Sequence, residues 1–376
     1  MQVSRILIAP DSFKESLSAV RAAGCLQEGL KISLPDAVVD LAPLSDGGEG
    51  FVEAMVCATG GKTKRFMVHD ALMYPIDAEV GFSSDRQTAF IEMASACGLE
   101  KIPPKERNPM VTSTFGTGEL ILAAMKEGCK RIILGIGGSA TNDGGAGMAQ
   151  ALGIGFLDET GSVLKYGGGE LLHLKTIDFS GIVQNIPEII VACDVTNPLT
   201  GPEGASAVYG PQKGATAAMV EILDRNLKHF AGIVKDQTGL DVGSVPGAGA
   251  AGGLGAGLMA FTGARLMSGF RVVAETIDLE NRIAASDVVI TGEGRIDKQT
   301  LRGKAPFGVA QLARKYNRPV IGVAGTLGEG WEELYQNGFS LLLSVVNKPM
   351  SLDEAIRNAP ELVKNTGILI GKILKF

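Results

Sequence analysis

The chain has 376 residues, 45% of them hydrophobic and 20% charged, which is the composition of a globular protein able to bury sizeable cores. Its length favours two domains over one, and its net charge of −6, with no long basic run, argues against a nucleic-acid-binding face. Glycine is unusually frequent, since its 51 residues are roughly twice the usual share of about 7%. The glycines cluster between predicted strands and helices, as in enzymes whose backbone lies against a polar ligand.

The cysteines and the apolar segments indicate a soluble cytoplasmic protein. The five cysteines form no C-x-x-C pair, so we expect free thiols in a reducing compartment. The apolar run Ile6–Ala9 is too short for a signal peptide. The uncharged segment Val242–Ala264 is long enough to cross a membrane, but its glycines and its proline predict a helix that packs closely inside the protein. We therefore expect no membrane or nucleic-acid partner, and the oligomeric state stays open.

The start of the chain alternates strands and helices, which predicts a parallel sheet. Ser12 and Glu15 match the capping-box pattern S-x-x-E and predict the start of the first helix. The predicted elements are a strand at residues 5–9, a helix that continues over 19–30, a strand at 38–41 and a helix at 51–57.

The middle of the chain has a different order of predicted strands and helices. Its first three predicted strands follow one another without helices, which predicts antiparallel pairing. The predicted elements are strands at 64–68, 76–82 and 88–92, a helix at 117–126, a strand at 132–134, a helix from Met148 to Leu152, a strand at 188–192 and an amphipathic helix at 216–235.

The last part of the chain returns to alternating strands and helices. The predicted elements are strands at 287–290, 319–323 and 341–345, helices at 305–315 and 329–336, and a final helix capped by Ser351 and Glu354. Strands and helices therefore alternate at both ends of the chain, whereas the middle begins with consecutive strands. We predict an α/β fold with two domains. A five-stranded parallel-sheet domain is built from residues 1–62 and 285–376, and a second α/β domain of mixed or antiparallel sheet, residues 63–284, is inserted into it.

A glycine loop at residues 135–147 connects a predicted strand to a predicted helix. Glycines let a ligand approach the backbone closely, and N–H groups at the start of a helix suit an anion. The loop is therefore either a phosphate cradle, in which Asn142 and Asp143 reach a metal or a hydroxyl, or a tight turn in which both residues only cap the helix. Polar loops also follow the other predicted strands. Ligands of parallel α/β sheets bind beyond the carboxyl ends of the strands, which favours the phosphate interpretation.

The residue types in these loops suit phosphoryl transfer. Carboxylates and hydroxyls accompany a few cations such as Lys14 and Arg295, without a Ser-His-Asp or Cys-His arrangement. In phosphoryl transfer, positioning, Mg²⁺ and charge neutralisation carry most of the catalysis. A carboxylate can also accept the proton of the attacking hydroxyl.

Other nucleotide signatures are weak in this chain. A P-loop pattern is absent from the sequence. Residues 247–252 match G-x-G-x-x-G, but Ser244, Val245 and Pro246 before them make a poor strand, which a dinucleotide fingerprint requires. Two alternatives remain open: a nicotinamide-dependent oxidoreductase of a small hydroxy acid, and a non-catalytic sugar-acid sensor.

Eight motifs in a fixed order span nearly the whole chain. They are APDSFKESLSA, SDGGEG, FGTGELI, GIGGSATNDGGAGMAQALG, CDVTNPLTGPEGA, YGPQKGAT, PGAGAAGGLGAG and TGEGRIDKQT. As a set they resemble the type-1 glycerate kinase family, with Ser45 and Phe51 in place of the family's frequent Ala and Thr. The resemblance implies a flavodoxin-like domain with a second α/β domain inserted. It also implies phosphorylation of D-glycerate by ATP with Mg²⁺, and it favours 2-phosphoglycerate over 3-phosphoglycerate as the product.

The hypothesis for the site is a cleft between the two domains, whose closure would exclude water. The predicted catalytic residues are Lys14, Asp46 and Asp194. Lys14 would hold the glycerate carboxylate or the transferred phosphate, and an aspartate would orient the glycerate hydroxyl. The predicted substrate- and phosphate-binding residues are Asp11, Ser12, Gly47, Gly48, Gly137, Gly138, Ser139, Thr141, Asn142, Gly292 and Arg295. The candidate Mg²⁺ ligands are Asp143, Glu293 and Asp297.

Overall fold

The computed structural model describes residues 3–375, with the side chain of Arg302 outside the description. The chain divides into two compact units. Unit 1 contains the chain up to Asp46, Glu53–Gly60 and the chain from Phe270 onward, and unit 2 contains Gly47–Val52 and Gly61–Gly269. The predicted domain boundaries at residues 62/63 and 284/285 stay a prediction.

Strands and helices are distributed along the whole chain. The strands are β1 (Arg5–Ile8), β2 (Val38–Leu41), β3 (Lys62–His69), β4 (Pro75–Phe82), β5 (Thr88–Glu92), β6 (Arg131–Gly135), β7 (Gly155–Leu157), β8 (Thr176–Asp178), β9 (Glu188–Ala192), β10 (Arg265–Met267), β11 (Val288–Ile296), β12 (Val320–Leu327) and β13 (Leu341–Ser344).

The α-helices are α1 (Ala19–Ser33), α2 (Phe51–Thr59), α3 (Ala94–Cys97), α4 (Phe115–Lys126), α5 (Ala146–Ala151), α6 (Ala205–Tyr209), α7 (Ala217–Thr238), α8 (Ala250–Thr262), α9 (Gly269–Thr276), α10 (Leu279–Ala284), α11 (Ala305–Lys315), α12 (Leu352–Arg357) and α13 (Ala359–Ile373). Short 3₁₀ helices occur at Leu99–Lys101, Pro104–Glu106, Gly168–His173, Pro211–Lys213, Thr300–Arg302 and Trp331–Asn337. The last of these lies where the sequence predicts an α-helix at 329–336.

Unit 1 contains a five-stranded sheet in the order β13-β12-β11-β1-β2, and every pair in it is parallel. This confirms the predicted parallel sheet built from both ends of the chain. Ile6, Leu7 and Ile8 have no exposed surface, as expected where helices cover both faces of a parallel sheet. Counted within the unit, the strand order is 2-1-3-4-5, the flavodoxin-like order. Its topological switch point lies between β1 and β11, where such folds bind their ligands.

Two local predictions at this edge of the sheet were wrong. The capping box at Ser12 does not start a helix, because Glu15 has a left-handed φ of +66° and Ser18 caps α1 by accepting a hydrogen bond from the Arg21 N–H. The predicted loop after Ile290 is instead strand, because β11 continues to pair with β12 as far as Ile296. Gly292 and Glu293 therefore lie on a strand, which fixes their positions more firmly than a loop would.

Unit 2 contains a six-stranded mixed sheet in the order β10-β9-β6-β5-β4-β3. The pairs β3–β4 and β4–β5 are antiparallel, as predicted, and the pairs from β5 to β10 are parallel. Because β6 and β9 are parallel neighbours, the loops that follow them leave the same edge of the sheet. The glycine loop follows β6, and Asp194 follows β9.

The second glycine-rich segment packs against the first. Helix α8 is interrupted by left-handed residues from Ala251 to Gly253, and the Gly144 N–H donates to the Gly252 carbonyl at 3.0 Å. A Cβ on Gly252 would lie 1.9 Å from the Thr141 carbonyl oxygen, so the two backbones can meet only without that atom. The segment thus packs inside the protein. Within residues 3–375 no helix has the length and apolarity needed to cross a bilayer.

Candidate active site

Four predicted residues of unit 1 interact electrostatically at the switch point. We call Asp11, Lys14, Asp46 and Glu293 the switch-point cluster. Asp11 follows β1, its N–H donates to the Gly292 carbonyl at 2.8 Å, and its carboxylate accepts from the Ser12 N–H at 2.6 Å. These bonds hold the exit of β1 against β11.

Asp11 is the group in this cluster with a strongly shifted pKa. Burial, with the nearby negative charges of Asp46 and Glu293, raises the pKa of Asp11 to about 7, against the lowering effects of the Ser12 N–H and the Lys14 charge. A carboxyl group with this pKa can take or release a proton near neutral pH, as a general acid or base must. The cluster therefore has the electrostatics of a reactive site.

Glu293 is fixed by two side chains that follow it. The Thr300 hydroxyl donates to its Oε1 at 2.7 Å, and the Lys304 ammonium donates to its Oε2 at 2.8 Å. Glu293 and Thr300 are both buried, whereas Lys304 is partly open to solvent. The sequence predicted a site role for Glu293 but not for Thr300. The two residues are seven positions apart, and this spacing alone does not show that the Thr300 hydroxyl binds Glu293.

Asp297 and Arg295 pair with each other. The Arg295 Nε donates to Asp297 Oδ2 at 2.9 Å, and the Gln299 N–H donates to Oδ1 at 2.8 Å. The Asp297 carboxylate therefore stabilises the turn after β11. The Arg295 side chain is 63% exposed, so this cation is accessible to an anion.

The tip of the glycine loop offers backbone donors. Gly137 and Gly138 are exposed, and Gly138 has a left-handed φ of +71°. Among the hydrogen bonds of residues 3–375, the N–H groups of Gly137, Gly138 and Ser139 donate to no protein acceptor. Free N–H groups next to each other suit an anion such as a phosphate.

The base of the same loop is buried and held by Asp143. Its carboxylate accepts from the N–H and the hydroxyl of Thr114 at 2.8 and 2.9 Å, and from the N–H groups of Gly145 and Gly147 at 3.2 Å each. Burial raises the pKa of Asp143, and these hydrogen bonds oppose the shift. Asn142 is also buried and donates to the Ser206 hydroxyl at 3.0 Å. These contacts correspond to the interpretation in which Asn142 and Asp143 shape the turn.

Asp194 and the glycines after Asp46 lie at the same edge of the unit 2 sheet as the glycine loop. Asp194 is exposed, and its Oδ1 accepts from the Gly269 N–H at 2.9 Å. A Cβ on Gly47 would lie 2.7 Å from that of Ala192 at the end of β9, and a Cβ on Gly137 would lie 3.0 Å from the Gly48 Cα. The structure thus places Gly47 beside Ala192, two residues before Asp194, and Gly48 beside Gly137, all within unit 2.

Lys213 is a charged residue to which the sequence analysis assigns no role. It ends the 3₁₀ helix at Pro211–Lys213, and it is 1% exposed. Its ammonium donates to the Ser139 hydroxyl and to the Thr141 carbonyl, both at 2.7 Å. The sequence shows Lys213 as the lysine of the motif YGPQKGAT. It does not show the hydrogen-bond partners of this lysine, which lie more than 70 residues earlier in the chain.

The three candidate Mg²⁺ ligands are divided between the two units. Asp143 is buried in unit 2, while Glu293 and Asp297 in unit 1 each pair with a cation. Within residues 3–375 no group of three or more His, Cys, Asp or Glu side chains is arranged to hold a metal ion. A metal cage made only of protein side chains therefore does not fit these residues.

Comparison with known proteins gives consistent matches over nearly the whole chain. The profile of the glycerate kinase family matches residues 6–375. A glycerate 2-kinase of Escherichia coli K12 is 51% identical over 357 residues, 94% of each chain, and a glycerate kinase of Halalkalibacterium halodurans is 50% identical over 364 residues, 96% of each chain. The crystal structure of a putative glycerate kinase 2 from Salmonella typhimurium LT2 superposes with a TM-score of 0.90 at 49% identity, covering 99% of this chain and 98% of that one.

These matches cover both units and every motif discussed above, and the solved relative has the same fold. As a kinase the protein is a phosphotransferase, which agrees with the chemistry of its loops. The chain belongs to the glycerate kinase family.

Proposed function

We propose that this protein transfers the γ-phosphoryl group of ATP to the 2-hydroxyl of D-glycerate and releases 2-phosphoglycerate and ADP. Support for the position of transfer comes from the glycerate 2-kinase of Escherichia coli, which shares 51% of its residues. Support from the structure comes from the switch-point cluster, in which a carboxyl group of pKa about 7 lies near a lysine. The reaction in a cleft between the two units remains a prediction.

The proposed step forms a bond between the glycerate oxygen and the γ-phosphorus and breaks the bond from that phosphorus to ADP. The proton of the glycerate hydroxyl passes to a carboxylate. The sequence predicts that Asp46 or Asp194 orients that hydroxyl, and we propose Asp11 as the proton acceptor, because a base is most effective when its pKa lies near the working pH. We propose that Lys14 and the exposed Arg295 neutralise the glycerate carboxylate or the transferred phosphoryl group.

The glycine loop is proposed to bind the ATP phosphates through the N–H groups of Gly137, Gly138 and Ser139. Thr141 and Asn142 are buried beneath this tip, so we propose that they shape it. We propose that Mg²⁺ arrives bound to the phosphates of ATP, since this ion is often held by substrate phosphates with few protein carboxylates. Bound there, it would withdraw charge from the transferred group, and we assign it no residue of this chain.

The experiment that tests this function measures ADP release with D-glycerate and identifies the product by ³¹P NMR. We expect ADP to form only when glycerate is present, and the product resonance to match authentic 2-phosphoglycerate. ADP formation with a 3-phosphoglycerate resonance would change the hydroxyl that we assign. Hydride transfer to NAD⁺, or glycerate binding without ADP release, would instead support one of the two alternatives.

Replacing Lys14 by alanine is expected to lower kcat/KM for glycerate by about 100-fold, because loss of one charge at a phosphoryl-transfer site costs roughly this much. Lys14 is exposed, so the fold should not depend on it. Lys364→Ala is the matched control, since Lys364 is a partly exposed lysine of the same unit that pairs with Glu28 on α1. Steady-state ADP release measures both variants, and an unchanged kcat/KM in Lys14→Ala would remove this residue from the site.

A further inference from the structure

The proposed function uses the exposed tip of the glycine loop but not the lysine beneath it. Lys213 is 1% exposed, and its ammonium makes hydrogen bonds to two residues on either side of Ala140. These bonds, at 2.7 Å to the Ser139 hydroxyl and 2.7 Å to the Thr141 carbonyl, connect the 3₁₀ helix at Pro211–Lys213 directly to the loop. Movement of Lys213 would therefore move the loop.

An ammonium group in this position is costly. Burial lowers the pKa of Lys213 to about 7, against the opposing charge of Asp143. The Asp143 carboxylate compensates the Lys213 charge only at a distance, because it accepts its hydrogen bonds from Thr114, Gly145 and Gly147. A neutral donor could hold the same two oxygen atoms at less cost. With a pKa of about 7, Lys213 is charged in only part of the molecules at neutral pH, and a negative ligand bound nearby would favour the charged form.

The loop around Lys213 has unused hydrogen-bonding groups. Because the Ser139 oxygen accepts from Lys213, the hydroxyl hydrogen of Ser139 can donate to another group. The N–H groups of Gly137, Gly138 and Ser139 donate to no acceptor within residues 3–375. Two buried atoms of the same loop, Thr141 Oγ1 and Asn142 Oδ1, also have no hydrogen-bond partner among the described residues. Unpaired buried polar atoms are rare and call for a ligand or a water molecule.

We propose that Lys213 is a positioning residue for nucleotide phosphates: its buried charge stabilises phosphate bound at the tip of the glycine loop and acts through the Ser139 hydroxyl. The ammonium does not touch the phosphate, since Ser139 lies between Lys213 and the exposed tip. This inference rests on the proposed function, because it assumes that the glycine loop binds the phosphates of ATP.

The test compares the affinities of the wild-type protein and Lys213→Met for AMP, ADP and ATP by isothermal titration calorimetry, with EDTA and without glycerate. Coulomb attraction grows with the charge of the ligand. We therefore expect the loss of affinity in Lys213→Met to increase along the series, from less than about twofold for AMP to about tenfold or more for ATP. An equal loss for all three nucleotides would mean that Lys213 only supports the fold, and an unchanged affinity for ATP would overturn the proposal.

Three further measurements distinguish these outcomes. Lys228→Met removes an exposed charge from α7 in the same unit and should leave all three affinities unchanged. If Lys213→Met does not fold, Ser139→Ala tests the same link and must show the same graded loss, and a flat response would refute the proposal. ADP release by the wild-type protein with glycerate tests the proposed function separately. Kinase activity without the graded loss would contradict only the role of Lys213.

Discussion

Replacing Asp11 by asparagine is expected to stabilise the protein at pH 8 and to lower kcat/KM for glycerate by about 100-fold or more. The activity falls because asparagine cannot take up the proton of the glycerate hydroxyl. The stability rises because the partly buried Asp11 carboxylate near Asp46 and Glu293 is unfavourable when it is charged. Asparagine has nearly the same shape and keeps an oxygen that can accept the hydrogen bond from the Ser12 N–H.

The sign of this stability effect follows from the pKa of Asp11, which is raised from 3.8 to about 7. Below pH 3.8 the group is protonated in the folded and in the unfolded protein, so it has no effect. As the pH rises to about 7, the unfolded chain loses the proton first, and the free energy of unfolding falls by at most on the order of 4 kcal/mol. The Asp11→Asn variant would avoid this loss, so its gain in Tm should be absent near pH 4 and largest above about pH 7.

Thermal unfolding of wild type and Asp11→Asn between about pH 4 and pH 8.5, in EDTA, measures this difference. Asp287→Asn is a control of opposite sign in the same sheet, because the N–H groups of Arg5 and Ser4 lower the pKa of Asp287. That variant should lose stability by a similar amount across this whole range, because the effect of a lowered pKa is complete above the ordinary value of 3.8 and disappears only as the pH falls below it. A difference in Tm between wild type and Asp11→Asn that does not change with pH would show that the Asp11 carboxyl titrates normally.

Replacing Gly252 by alanine is expected to destabilise unit 2 by about 3 kcal/mol or more, and to lower kcat/KM for ATP at least tenfold. Gly252 has a left-handed φ of +70°, and a Cβ there would lie 1.9 Å from the Thr141 carbonyl oxygen and 2.6 Å from the Asn142 Cα. One of the two backbones must therefore move. A shift of the glycine loop would displace the N–H groups that we propose for phosphate binding.

Gly263→Ala is the matched control for this substitution. Gly263 ends α8 with a similar φ of +68°, but nothing lies within 4 Å of the position of its Cβ. The control carries only the cost of the left-handed backbone, about 1 kcal/mol. Chemical denaturation and ADP-release kinetics on both variants separate the clash from the backbone cost. Equal effects of the two substitutions would mean that the contact between Gly252 and the glycine loop is not important.

The sequence predicted the fold where local signals and tertiary contacts agree. The strands predicted at residues 5–9, 38–41 and 341–345 are β1, β2 and β13 in the sheet predicted for unit 1. The Ser351 and Glu354 capping box is also confirmed, since both of its hydrogen bonds are present at the start of α12. In these places the residues next to each other in sequence are sufficient to specify the structure.

Predictions failed where a distant segment decides the local conformation. Residues 291–296 contain glycines and charges that favour a loop, but pairing with β12 makes them a strand. The match of residues 247–252 to G-x-G-x-x-G is weak in the sequence, which does not show that Gly252 packs against Thr141 in the loop after β6. Lys213 received no role because Ser139 lies 74 residues away. The roles of the predicted site residues stay a prediction, because a role depends on substrate contacts.

The order of strands in unit 1 has a consequence for how the chain folds during its synthesis. β1 and β2 are made first, yet β11, which pairs with β1, follows the whole of unit 2. The Thr291 hydroxyl bonds to the Ala9 carbonyl across 282 residues, which take roughly 14 to 56 seconds to translate. Two strands alone form no stable sheet in water. The apolar side chains of Ile6–Ile8 thus lack their β11 neighbours while unit 2, whose sheet lies between Lys62 and Met267, is synthesised and can fold.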